Sequence, residues 1–353
     1  MNVSQPDKWV PDDDIQLPSA LEVVEVLRLL IAADVFPRGG LYSGYYGLTA
    51  ALRYEYIWLK VLKDHGSSTP PPLDVALAWF IHRQFPVNYQ QVTARRCGRV
   101  LHPADGTQAF AFSSQPSEPW RKVAGPPPAW PPPAPGSEHD PTPILGRRRP
   151  MVAVQLAEAM SRCSWLLHSW LRPHYLDAAF LQRATKRYLR FLRLHAAHPD
   201  SLLVPAADMA LIWHTHLGLS GRYEHTCRQL FGRGRQEAGK EKETATSPTP
   251  DAGGGGTEAE AAEGYCWRPA YLDLDRQLLE EAYGSTARLY QEVYGEPFAD
   301  AYTGWIPESD PHPLTTPDIS PLAFTLRAFD EEPGAAASAA TAAALAAVDR
   351  QLT

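Results

Sequence analysis

The chain has 353 residues, of which 44% are hydrophobic, so it is long enough for two ordinary domains with a sizeable core. Its formal net charge of −7 argues against nonspecific nucleic-acid binding, which depends on neutralising phosphates. Its four cysteines lie far apart without a C-x-x-C pair, which favours free thiols in a reducing compartment. The acidic N-terminus lacks the features of a signal or transit peptide, and no apolar run reaches the roughly 18 residues of a membrane span. We therefore expect a cytoplasmic protein.

Residues 15–101 show helical periodicity and are predicted to form a first helical unit. Ser19 and Glu22 have the spacing of a capping box, and an apolar stripe begins beside them at Leu21. Almost no stretch of the chain alternates with a period of two residues, so a large β-sheet is not expected. The helices of this unit are predicted over residues 17–33, 48–64 and 73–84.

Residues 102–150 are rich in proline and are predicted to link two helical units. The run P-P-P-A-W-P-P-P-A-P at 126–135 cannot sustain a helix or a central strand, because proline has a fixed φ and no amide N–H. We interpret it as a stiff polyproline II spacer. The alternative is a docking peptide, through which a protein partner with an aromatic groove would bind this segment.

Residues 151–307 are predicted to form a second helical unit, and residues 308–353 an Ala-rich tail of low complexity. Residues 234–263 are charged and contain G-G-G-G, so we expect a disordered insertion that cannot bury enough apolar surface to fold. Besides the motif described next, the helices of this unit are predicted over residues 151–170, 177–195, 223–231 and 273–294.

The stretch richest in Trp, His and Asp runs from Val204 to Tyr223 and reads V-P-A-A-D-M-A-L-I-W-H-T-H-L-G-L-S-G-R-Y. Pro205 suits a first helical turn and Gly218 a helix end. The residues between them are apolar on almost every face, so we predict a helix that is buried on most sides. Asp208 would lie near the positive end of its dipole.

A weaker copy of this stretch lies at residues 71–89, and a constant shift of 134 positions (208 minus 74) relates the two. The first motif copy consists of Arg53, Asp74, Trp79, His82 and Tyr89, and the second of Arg187, Asp208, Trp213, His216 and Tyr223. Tyr54 and Tyr188 obey the same shift. A long internal period indicates duplication. We predict an all-α fold of two tandem pseudo-repeated helical units that form one helical bundle body, with Pro-rich and Gly-rich disordered insertions.

The D-x-x-L-I-W-H-T-H segment and the Tyr223 that follows it resemble the plant-type glycine-rich domain-containing protein family, whose N-terminal region is a domain of unknown function. The first copy is similar to the companion motif of that family and retains Pro72, Leu73, Asp74, Trp79, His82, Arg83, Pro86 and Tyr89. It departs from that motif at Leu77 and at Phe80, which replaces the first histidine. The resemblance implies a part in development or stress responses and no established catalysis.

The histidines of the second copy are candidate metal ligands. Asp208, His214 and His216 could hold zinc, iron or manganese, since these are residue types that such ions bind. On one regular helix, however, the two histidines point roughly 200° apart, and the first copy lacks one of them. We therefore favour histidines that are hydrogen-bonded in the core, and we expect no cofactor. The separation of 21 residues between Arg and Asp in both copies predicts a repeated buried ion pair.

Three functional hypotheses remain. The preferred one is a non-enzymatic intracellular binding or scaffold protein, with partners bound through its insertions, the Pro-rich segment 126–135 or the groove between the repeats. The alternative is a metal-dependent enzyme of unknown reaction that uses the W-H-x-H motif. An RNA-associated protein is the second alternative, suggested by relatives with RNA-recognition modules and disfavoured by the net charge.

Overall fold

Every regular element in the described part of the chain is a helix, which confirms the predicted all-α class. The computed structural model describes residues 15–34, 36, 41–125, 129–230 and 267–306. Within those residues, no helix is both long enough and apolar enough to cross a membrane. The predicted insertion 234–263 and the predicted tail 308–353 lie outside the described residues.

The helices fall into two runs along the chain. The first run contains α1 (Ala20–Asp34), α2 (Gly44–Arg53), a π-helical turn (Tyr54–Trp58), α3 (Leu59–His65), α4 (Leu73–Arg83), α5 (Pro86–Cys97) and α6 (Glu118–Ala124). The second contains α7 (Ala153–Cys163), α8 (Leu166–Trp170), α9 (Ala178–Ala197), α10 (Ala207–Gly218), α11 (residues 221–230) and α12 (Arg276–Tyr294). Short 3-10 turns occur at Gly106–Phe110, Thr142–Gly146, Pro173–Leu176 and Ala270–Asp273.

The predicted capping box opens α1. The Ser19 amide donates to Glu22 Oε2 at 2.7 Å, and the Glu22 amide donates to Ser19 Oγ at 3.3 Å. These bonds satisfy two amide groups that a helix start leaves without partners. Leu21 was predicted to be the first buried residue of the apolar stripe. This prediction is wrong, because Leu21 is 62% exposed. The remaining stripe is buried against α4, α9 and α10, so α1 contacts both halves of the chain.

The core is continuous across the two halves. Buried residues from α2, α4, α7, α9 and α10 belong to one hydrophobic cluster. Helix α7 packs against α2 and α4 of the first run, and α10 packs against α1 and α4. Glu55, inside the π-helical turn, accepts hydrogen bonds from the backbone amides of Met151, Val152 and Ala153 at 2.8 to 2.9 Å. This carboxylate fixes the start of α7 on the first half.

The Pro-rich linker predicted for 102–150 packs on the helices in its described part, which differs from the stiff spacer predicted for the run 126–135. Phe110, Trp120 and Ala129 are at most 2% exposed. The ring of Trp130 meets that of Phe36 edge-on at 5.2 Å. The reason is that isolated apolar side chains among the prolines supply buried area without helical periodicity. The Pro-rich run itself contains no helix in its described part, residues 129–135, as predicted.

Candidate functional site

The two motif helices lie in the middle of the core. All 11 residues of α4 and all 12 residues of α10 are buried. Both helices are apolar on nearly every face, which is why each is covered by protein on all sides. The candidate site is therefore an internal network of polar side chains rather than an open cleft.

An arginine–aspartate ion pair stands at the start of each motif helix. Arg53 Nη1 donates to Asp74 Oδ2 at 2.5 Å, and Arg187 Nε donates to Asp208 Oδ2 at 2.7 Å. Both aspartates are 0% exposed. Burial raises the pKa of both carboxyls above its ordinary value, and the arginine beside each opposes that rise. The ion pair predicted from the 21-residue spacing is present in both copies.

Tryptophan and tyrosine form a second shared contact. Trp79 Nε1 donates to the Tyr89 hydroxyl at 3.0 Å, and Trp213 Nε1 donates to the Tyr223 hydroxyl at 3.1 Å. All four side chains are buried. A buried indole N–H and a buried phenol each need a hydrogen-bond partner, and here they supply it to one another.

The same arginines and tyrosines bind segments of the chain that return after each motif. In the first copy, arginine donates to the carbonyl of Ala129 at 2.6 Å and tyrosine to that of Leu101 at 2.6 Å. In the second copy, arginine donates to the carbonyl of Phe298 at 2.5 Å and tyrosine to that of Trp267 at 2.5 Å. Each motif copy thus anchors two later segments by their backbone.

The shared histidines are bound by the tyrosines of the preceding helix. His82 Nδ1 lies 2.7 Å from the Tyr54 hydroxyl, and His216 Nδ1 lies 3.1 Å from the Tyr188 hydroxyl. The other ring nitrogen of His82 lies 2.9 Å from Asn88 Oδ1. Burial lowers the pKa of His82 to about 4 and that of His216 to about 3. Both rings are therefore neutral near neutral pH, with the tyrosine hydroxyl donating to the bare nitrogen of His82.

His214, which has no counterpart in the first copy, links the two halves. Its Nδ1 lies 2.7 Å from Oε1 of Gln84, the residue that directly follows α4, and its Nε2 lies 2.6 Å from the Tyr271 hydroxyl. Burial lowers its pKa to about 3, so the ring is neutral, donates to the Gln84 amide oxygen and accepts from the tyrosine. At the matching position of the first copy stands Phe80, which bonds nothing in this way.

A second contact joins α4 to α10 at the end of each helix. Arg83 donates to the carbonyl of Gly218 and, at 2.9 Å, to that of Ala109. Gly218 is required there because a Cβ at this position would lie 2.6 Å from the ring of Phe110 and 3.1 Å from that of Phe80. The interface between the copies thus depends on close backbone approach.

The three residues predicted as metal ligands have separate partners. Asp208 pairs with Arg187, His214 binds Gln84 and Tyr271, and His216 Nε2 lies 3.5 Å from Thr226 Oγ1. Across the described ranges, no three His, Cys, Asp or Glu side chains are grouped so that they could hold a metal ion. The structure does not bring the predicted ligands together.

Sequence reasoning found some partners and missed others. Tyr54 and Tyr188 obey the 134-position shift, so the repeat itself marks them as part of the network. Gln84 and Tyr271 were missed as partners of His214. Position 84 corresponds to Gly218 under the same shift, so comparison of the copies gives no sign of this bond.

Comparison with known proteins bears on the second motif copy. Residues 145–226, which include α7 to α10, match the family model described as "Glycine-rich domain-containing protein-like". The predicted resemblance to the glycine-rich domain-containing protein family is confirmed. The first motif copy lies outside the range that this family model matches.

Two relatives within the family come from Arabidopsis thaliana. "Glycine-rich domain-containing protein 2" is 27% identical over 222 residues, which cover 59% of this chain and 28% of the relative. "Glycine-rich domain-containing protein 1" is 27% identical over 234 residues, which cover 59% of this chain and 27% of the relative. The match thus spans little more than a quarter of the length of these relatives. No solved structure matches the chain.

Proposed function

We propose that this chain is a non-enzymatic binding or scaffold protein whose motif supports the fold. One observation carries this proposal: the motif histidines are hydrogen-bonded to other groups of the protein. Both ring nitrogens of His82, His214 and His216 have partners within the protein. Their lowered pKa values keep the rings neutral at neutral pH, where they neither carry charge nor exchange protons readily. Acid–base catalysis would need a group that titrates near the working pH.

The anchored segments are where we place partner contacts. The described residues of α11 run to Leu230 and the described chain resumes at Trp267, whose ring stacks on that of Trp213 at 4.1 Å. Tyr223 donates to the backbone carbonyl of Trp267, so the second motif copy anchors the residue that follows 231–266. In this proposal the rigid core presents that segment, and the Pro-rich segment 126–135, to other proteins. The role in development or stress responses implied by the family resemblance belongs to the same proposal.

Metal content separates this proposal from the enzyme alternative. Plasma mass spectrometry on the untagged protein should find no stoichiometric metal. Near-stoichiometric zinc, iron or manganese that disappears in His214→Ala/His216→Ala would contradict the scaffold and favour a metal-dependent enzyme. Because the double variant loses buried hydrogen bonds, its urea unfolding is measured alongside to separate lost metal from lost folding.

A second experiment tests whether residues 231–266 are presented by the core or form part of it. The segment is replaced by a short Gly–Ser linker, and the thermal midpoint is compared with that of the intact chain. We expect little change, since the hydrogen bond to the Trp267 carbonyl lies outside the replaced range. A large drop in the midpoint would show that the segment supports the fold, and partner contacts would have to be sought elsewhere.

A further inference from the structure

A surface pocket on the first half of the chain is lined by no residue of either motif copy. It has a volume of about 290 Å³ and lies between α3 and the end of α5. Leu59 and Cys97, which are 1% and 7% exposed, line its apolar part. Lys60, Lys63 and Arg96 line its polar part.

The carboxylates near these cations leave an excess of positive charge. Glu55 also lines the pocket, but it is 2% exposed and its two oxygens accept three backbone amides at the start of α7. Asp64 is the other carboxylate in the lining. Among the residues that the structure describes, Lys60, Lys63 and Arg96 form no ion pair.

Two further arginines add to the local field. Arg99 opposes the rise that burial causes in the pKa of Cys97, and Arg148 does the same for Tyr56. Lys60 and Lys63 on α3 and Arg96 on α5 thus line one pocket, on a chain whose net charge is −7. A concave surface of one sign concentrates ligands of the other sign.

The guanidinium of Arg96 is already positioned. It lies over the ring of Tyr56 at 5.6 Å from the centroid, a cation–π contact that limits its rotation. A guanidinium in a cation–π contact keeps N–H groups available, and two of these can match two phosphate oxygens at once. The two lysines add point charges on the other wall.

We propose that this pocket binds a small ligand that carries phosphate groups. Its volume of about 290 Å³ is just below the roughly 300–1,000 Å³ usual for small-molecule sites, which suits a diphosphate or a small phosphorylated molecule. A free phosphorylated ligand and a lipid headgroup share this chemistry. The site uses no residue of either motif copy, so it stands apart from the scaffold proposal.

Calorimetric titration of the intact chain with pyrophosphate and with inositol monophosphate, at low salt, tests the site. Lys63→Gln/Arg96→Gln should raise the Kd about tenfold or more, because each cation contributes a charge-assisted hydrogen bond. The matched control is Lys186→Gln/Arg228→Gln, which removes two exposed positive charges elsewhere and should leave the Kd unchanged.

Three outcomes would overturn the proposal. The first is that neither probe gives a heat of binding. The second is that the control variant loses as much affinity as Lys63→Gln/Arg96→Gln. The third is that single-stranded RNA binds more tightly than the probes and that Lys63→Gln/Arg96→Gln abolishes this binding. A parallel flotation assay uses phosphatidylcholine vesicles with and without a phosphatidylinositol phosphate. Binding to the phosphorylated vesicles that requires Lys63 and Arg96 identifies a lipid headgroup, and binding to the soluble probes alone identifies a free ligand.

Discussion

The first motif copy is more enclosed than the second. The side chain of Arg53 is 4% exposed and that of Arg187 is 16% exposed, although each binds a fully buried aspartate. His82 has a close second partner at 2.9 Å, whereas the corresponding contact of His216 is 3.5 Å long. The shared contacts are therefore the same in kind but differ in how completely protein surrounds them.

The positions that differ between the copies carry the contact between them. Phe80 corresponds to His214, and Gln84 corresponds to Gly218. In the structure Gln84 bonds His214, and the rings of Phe80 and Phe110 crowd Gly218. The comparison teaches that the shared residues build each half, and that the unshared residues join the halves. Duplication of the units remains a prediction.

The largest expected effect comes from removing one partner of the buried ion pair. Asp74→Ala leaves the enclosed Arg53 without its carboxylate and should lower the free energy of unfolding by about 3–5 kcal/mol. Asp208→Ala should cost less, because Arg187 reaches water more easily. Urea unfolding measures both. An equal or larger loss for Asp208→Ala would break the distinction between the copies.

A control separates the lost pair from an unpaired charge. Arg53→Met/Asp74→Leu removes both ions, and it should recover part of the stability that Asp74→Ala loses. The double variant also loses the bond from Arg53 to the carbonyl of Ala129, so the recovery should be incomplete. A double variant as unstable as Asp74→Ala would show that an unpaired Arg53 is not what destabilises the single variant.

The next effect is on the pH dependence of stability. The pKa of His214 is lowered from 6.5 to about 3, so the unfolded chain takes up a proton that the folded chain refuses. The contribution of the neutral His214 ring to the free energy of unfolding is complete above pH 6.5 and is lost as the pH falls towards 3. The raised pKa of Asp34, about 6, acts in the opposite direction, so variants are compared with the wild type.

In His214→Phe, the slope of unfolding free energy against pH should fall by about one proton below pH 6.5. His139→Phe, which replaces a histidine at an exposed position, is the matched control. An unchanged slope in His214→Phe would mean that His214 is not buried as a neutral ring. Urea unfolding across this pH range provides the slopes.

Crowding at the contact between the copies gives a smaller effect. Gly218→Ala would place a Cβ 2.6 Å from the ring of Phe110 and should cost about 1–3 kcal/mol. Gly284→Ala on α12 meets nothing within 4 Å and should stabilise by up to about 1 kcal/mol. Adding Phe110→Leu should offset part of the Gly218→Ala cost. Equal effects at the two glycines would exclude a tight contact at Gly218.

The smallest effect is expected where the copies agree most closely. Tyr54→Phe and Tyr188→Phe each remove the hydroxyl that binds a histidine Nδ1, and each should cost about 1 kcal/mol in thermal or urea unfolding. A large difference between the stability losses of the two variants would show that this shared contact contributes unequally to the stability of the two copies.

The sequence predicted what depends on local pattern. The capping box at Ser19, the buried motif helices and both Arg–Asp pairs follow from spacing, burial pattern and the repeat. Helix α5 was not predicted, because its sequence P-V-N-Y-Q-Q-V-T-A-R-R-C has few apolar residues to show a period. The stretch 151–170, predicted as one helical run, is broken between α7 and α8.

The rest depends on contacts between distant residues. The bond from Gln84 to His214 joins residues 130 positions apart, and no local pattern marks it. The Pro-rich segment packs on the helices through isolated buried side chains such as Trp120, and hydrophobic periodicity does not reveal isolated residues. The π-helical turn at 54–58 also left no sign in the apolar pattern, although its Glu55 fixes the start of α7.

The most direct test of the central claim is a double-mutant cycle between Gln84 and His214. Unfolding free energies of Gln84→Leu, His214→Phe and the double variant are measured in buffer that contains EDTA. If His214 joins the two halves through this hydrogen bond, the coupling energy should be about 1–2 kcal/mol and should not change when zinc replaces the chelator. Coupling near zero, together with stabilisation by zinc that requires His214 and His216, would contradict the architectural role and indicate a metal site.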